Sequence, residues 1–89
     1  MTQRRVVITG LGMLSPVGNN VRDSWNNILL GKGGTKPITK FDVSEFDTTF
    51  AASVEVDTEN FLDKKEIRRT DPFIQFGLIA SEECIKDSS

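Results

Sequence analysis

Cys84 is the chain's one thiol, and no histidine accompanies it. A thiolate is the strongest nucleophile among ordinary side chains, but it needs a base or a positive environment to form near neutral pH. Glu82 and Glu83 directly precede Cys84, and negative charge there disfavours the thiolate. The surroundings therefore assign Cys84 to packing as a small apolar side chain. One Cys and no His also leave no zinc set and no internal disulfide. The 13 Asp and Glu residues include no pair whose spacing singles out an acid and a base, so they are expected to be solvated surface. No catalytic residue and no metal ligand are expected in this chain.

Thr9-Gly10-Leu11-Gly12-Met13-Leu14-Ser15 invites a dinucleotide-binding reading, because Gly-x-Gly after a strand lets backbone amides approach a pyrophosphate. The match is poor. Ser15 stands where a third Gly or Ala would let helix and strand pack, and Pro16 interrupts the required helix start. A structural turn is the expectation, and no cofactor is implied.

The basic residues are more informative. Lys64, Lys65, Arg68 and Arg69 are four of 11 Lys and Arg, set within a region that is otherwise acidic. On a helix, Lys65, Arg68 and Arg69 fall at i, i+3 and i+4 and share one face. Two uses are open to such a face. It can be a solvated surface paired with Glu66, Asp63 and Glu59, or it can steer and orient an acidic partner with strong dependence on salt.

These residues need elements to hold them. Arg4 to Gly10 is β-branched and apolar without alternation, the pattern of a strand covered on both faces in an α/β sheet. Ser15-Pro16-Val17-Gly18 predicts a loop. Asn20 is placed to cap a helix carrying Val21, Trp25, Ile28 and Leu29 at helical spacing, with Gly31 as its stop. Gly33, Gly34 and Pro37 extend the break as a loop. Phe50, Ala52, Val54 and Val56 alternate with Ala51, Ser53 and Glu55, as in a strand with one buried face. Asp57 to Leu62 predicts a short acidic turn or helix start, and Asp63 a cap for a brief helix from Lys64 to Arg69. Asp71-Pro72 then offers a capping carboxylate and a proline at the first position of a helix. Phe73, Ile74, Phe76, Leu78, Ile79 and Ala80 leave that helix almost no polar face, so it is expected to be buried nearly all round.

A chain of 89 residues offers little to bury a two-sided strand and an all-round apolar helix. The expectation is one undivided piece, 1–89, of a larger α/β fold or oligomer, with its missing cover elsewhere. No secretion signal or membrane span is read in the sequence, and a reducing cytoplasm is the expected setting. A net charge of −2 argues against general affinity for nucleic acid.

Arg4-Arg5-Val6-Val7-Ile8-Thr9-Gly10-Leu11-Gly12-Met13-Leu14-Ser15-Pro16-Val17-Gly18-Asn19 closely resembles the opening of type II 3-oxoacyl-acyl-carrier-protein synthases, the elongating condensing enzymes of fatty-acid synthesis. Trp25 with Leu29-Leu30-Gly31, Phe41-Asp42, Phe50-Ala51, and Arg68-Arg69 followed by Asp71, Phe73, Gln75, Phe76 and Gly77 continue the series, so the resemblance spans nearly the whole chain. It implies a thiolase-like fold, two similar α/β halves in a much longer chain, assembled as a homodimer. It also implies a cysteine nucleophile and two histidines that support decarboxylation of malonyl-carrier protein and condensation. Cys84 lies outside the nucleophile motif, so the segment alone is expected to be inactive. Lys65, Arg68 and Arg69 match basic positions that contact the acidic recognition helix of acyl carrier protein in that family. Two alternatives share the N-terminal pattern: an inactive chain-length-factor-like dimer partner, and a condensing domain of a polyketide synthase.

Overall fold

The structure, a computed structural model, describes residues 3–89. Several of its elements are closed by local hydrogen bonds. The Asn20 side-chain oxygen accepts from the Asp23 N–H at 2.7 Å and its amide donates back to the Asp23 carboxylate at 3.1 Å, which starts helix α1, Val21–Leu29. Gly31, at φ 74°, ends it. The Gly31 N–H reaches the Ile28 carbonyl at 3.0 Å and the Lys32 N–H reaches that of Asn27 at 2.9 Å, the paired bonds of a glycine-terminated helix.

Strand β1, Thr35–Pro37, pairs antiparallel with β2, Phe50–Ala52, in the register Thr35 to Ala52, Lys36 to Ala51 and Pro37 to Phe50. This corrects the loop expected through Pro37. A sheet of two strands has only edges, and an edge tolerates a residue without an N–H. The expectation of a buried face over 50–56 is corrected within β2: Phe50 and Ala52 are exposed and Ala51 is half-buried, because nothing among the described residues covers that side of the two-stranded sheet. Past the end of the ladder at Ala52, Val54 and Val56 are half-buried and Ser53 and Glu55 exposed. Between the strands, Phe41 and Phe46 meet edge to face, with ring centroids 6.2 Å apart.

A single 3-10 turn, Thr58–Asn60, leads to α2, Lys64–Arg69, and then to α3, Pro72–Ser88. Asp63 caps α2 as expected, its carboxylate accepting from the Glu66 N–H at 2.9 Å. Asp71 does not cap α3 with its side chain. Its main-chain carbonyl instead accepts from Ile74 and Gln75, while Pro72 supplies the preset first turn.

The stretch Arg4 to Gly10 forms no strand, which corrects the expectation of one. A strand is a property of a pair, and among the described residues none pairs with this stretch. Val6 stands 91% exposed. The same applies to α3: of its residues only Gln75 and Ile79 are buried, and Phe73 is 72% exposed. In α1 the apolar stripe of Trp25, Ile28 and Leu29 faces outward, and the buried residue is Ser24, whose hydroxyl lies 2.7 Å from that of Ser15. A globule of this length has a radius of gyration of about 12 Å, against 16.8 Å here. Its accessible surface would be roughly 5,200 Å², against 7631 Å². The elements are formed, but their apolar faces lack cover among the described residues.

Candidate functional site

Helix α2 carries the basic face. Six residues are too few to hold a helix by propensity alone, so its ends decide it. Asp63 closes the first turn. At the other end the Thr70 hydroxyl donates to the Glu66 carbonyl, and the side-chain amide of Gln75 donates to the carbonyls of Ile67, at 3.0 Å, and Thr70, at 2.9 Å. Gln75 belongs to α3 and is 7% exposed. It therefore fixes the end of α2 against the start of α3.

Lys65, Arg68 and Arg69 are all exposed on this clamped turn. Among the described residues the ion pairs are Lys36 with Glu55 at 3.5 Å and Lys86 with Glu82 at 3.1 Å, so the three basic residues have no carboxylate partner. The alternative of a face neutralised by Glu66, Asp63 and Glu59 is not what forms; Asp63 accepts from a main-chain amide instead. Arg68 and Arg69 also sit in the last turn, where positive charge opposes the negative end of the helix dipole. The face can attract an anionic group without first breaking an internal ion pair.

The glycine segment has a different use. Leu11 N–H donates to the Asp87 carboxylate at 3.0 Å and Met13 N–H to that of Glu83 at 2.8 Å. The other Glu83 oxygen accepts from Val21 N–H, at the start of α1, at 3.0 Å. The spacing matches: four helical residues rise about 6.0 Å, and two residues of extended chain advance about 6.6 Å. Carboxylates at i and i+4 of α3 thus meet amides at i and i+2 of a chain running the other way. Gly10 and Gly12 permit the approach, because a Cβ on Gly10 would lie 2.8 Å from Ser88 Cβ and one on Gly12 would lie 2.9 Å from the Cys84 amide nitrogen. The amides that a pyrophosphate would require already face two carboxylates, which disfavour an anion there. The expectation that the carboxylates are merely solvated surface is corrected for Glu83 and Asp87.

Cys84 is half-buried on the same face of α3, its thiol 3.4 Å from the Gly10 carbonyl oxygen. Its role is contact with the glycine segment. Neither Gln75 nor the Glu83 and Asp87 pair was nominated from sequence. The available signals were a lone amide inside an apolar helix start and two acids one turn apart opposite Gly-x-Gly.

The model of the beta-ketoacyl synthase N-terminal domain matches residues 3–89. The chain belongs to the beta-ketoacyl synthase family. Among similar members, the 3-oxoacyl-[acyl-carrier-protein] synthase 2 of Coxiella burnetii is 52% identical over 89 residues, covering 99% of this chain and 22% of that protein. The corresponding synthase of Vibrio cholerae is 47% identical over the same length, again 99% and 22%. That of Synechocystis is 40% identical over 89 residues, 99% of this chain and 21% of the relative. The chain thus spans about a fifth of the length of the curated relatives it matches. For a beta-ketoacyl synthase, apolar elements that lack cover within this fifth are physically coherent, since relatives of that length have several times more chain with which to bury them. Among the described residues no helix is long and apolar enough to cross a membrane.

Proposed function

We propose that residues 1–89 form one undivided N-terminal part of a thiolase-like, type II 3-oxoacyl-acyl-carrier-protein synthase. The intact protein, in this reading, is a homodimeric cytoplasmic acyltransferase. It condenses an enzyme-bound acyl group with malonyl-carrier protein in fatty-acid elongation. The malonyl carboxylate leaves as carbon dioxide, and the resulting carbanion attacks the acyl thioester and releases the enzyme's cysteine thiolate. This segment carries no His and no cysteine in the nucleophile motif, so it is inactive alone. Its contributions are part of the fold and the docking of acyl carrier protein.

The observation that supports docking is the basic face of α2: Lys65, Arg68 and Arg69 are exposed, without an ion-pair partner among the described residues, on a helix closed at both ends. Unpaired charge on a rigid turn attracts and orients an acidic helix, mainly through association rate and register. In the intact enzyme, reversing all three charges to Glu is expected to raise KM for acyl-carrier protein by about tenfold or more, since like charges then face each other. The salt dependence of KM should flatten with it. A KM and salt dependence equal to those of the parent enzyme would remove the docking assignment.

A further inference from the structure

We infer that Gln75 is a positioning residue for the basic face, and that it acts on Arg68 and Arg69 more than on Lys65. The inference rests on the docking reading and deepens it. Gln75 lies on α3, outside the basic helix, and contributes no charge to an acidic partner. The residue is more than nine-tenths buried, and its amide donates to two carbonyls at the end of the neighbouring helix.

The two carbonyls are those of Ile67 and Thr70, the residues on either side of Arg68 and Arg69. One planar amide thus grips the main chain at both ends of the two-arginine step. The last carbonyls of a helix lack partners within it, and here a side chain from another helix satisfies them. Thr70 leaves the helical conformation at φ −128° and ψ 146°. Without an external hold, the final turn of a six-residue helix frays readily, and the main chain that carries Arg68 and Arg69 would lose its fixed path. Lys65 lies in the first turn, which Asp63 closes independently of Gln75.

Each of the two hydrogen bonds has a neutral donor and a neutral acceptor, so their net effect is modest, while leaving both carbonyls unpaired adds a desolvation cost. Ordering two guanidinium groups for one partner is a step paid in conformational freedom when it is not already built in. Preordering by Gln75 removes part of that cost.

The test is a set of titrations of acyl carrier protein against the intact enzyme, with the parent, Q75M, R68A, K65A and the double variants Q75M/R68A and Q75M/K65A. Methionine keeps the side chain's length and bulk and removes the donor. Q75M is expected to raise Kd for the carrier roughly threefold to tenfold, about the net worth of one such bond. In the Q75M background R68A should cost less than in the parent, whereas K65A should cost the same, because only the arginines depend on the clamp. A purely structural role for Gln75 would not separate the two basic residues. An unchanged Kd in Q75M, or additive behaviour with R68A, overturns the inference while R68A and K65A still weaken binding. If R68A and K65A bind as tightly as the parent, the docking reading itself fails. Should Q75M not fold, Q75N, which keeps an amide but withdraws it by one methylene, decides by the same outcomes.

Discussion

Helices α2 and α3 adjoin in sequence and are held by opposite means. The six residues of α2 include one aliphatic side chain, Ile67, and the helix exists because its ends are tied: Asp63 at the start, Thr70 and Gln75 at the finish. The 17 residues of α3 have strong apolar content, no side-chain cap from Asp71, and only Ile79 as a buried hydrophobic residue. One helix is specified by local hydrogen bonds. The other is specified by burial that the described residues supply only in part. A short polar element can be complete within its own neighbourhood, while an apolar one is defined by what lies against it.

That contrast predicts a graded set of responses in the intact protein. The largest concerns α3: Ile79→Ala should destabilise by about 2–5 kcal/mol, the range for truncating a buried aliphatic side chain. A denaturant midpoint equal to the parent's would mean that Ile79 is not the anchor of α3. Next is the side chain by which α3 holds the glycine segment and the start of α1. Glu83→Ala removes acceptors from the Met13 and Val21 amides and should cost about 2 kcal/mol, since charge-assisted bonds exceed neutral ones. Glu83→Gln should recover part of that, which a chemical-denaturation series would read.

Capping gives the sharpest comparison between the helices. Asp63→Ala should cost about 1 kcal/mol, as for loss of a true cap. Asp71→Ala, at the equivalent position before α3, should stay within about 0.5 kcal/mol, because its carboxylate bonds to nothing at the helix start. Equal effects for the two would break the distinction drawn between them.

Much of the local structure was legible in the residues themselves. Asn20 and Gly31 bound α1, Asp63 bounds α2, and Pro72 opens α3, each by chemistry within a few positions. Lys65, Arg68 and Arg69 share a face because i, i+3 and i+4 always do on a helix. Pairing was less legible. Thr35–Pro37 became a strand because Phe50–Ala52 lies beside it, while Arg4 to Gly10, the stronger strand pattern, has no neighbour among the described residues and forms none.

Readable from the residues alone were the starts of the three α-helices, the Gly31 stop of α1, the absence of histidine and the family to which the chain belongs. Those depend on residue type and short spacing. Packing between distant segments set the rest: the Asp71 carboxylate makes no cap at its helix start, Glu83 and Asp87 serve main-chain amides of the glycine segment, and Gln75 spans the end of α2. A carboxylate or amide carries the same donors and acceptors wherever it stands. Which of them it uses depends on the chain that folds against it.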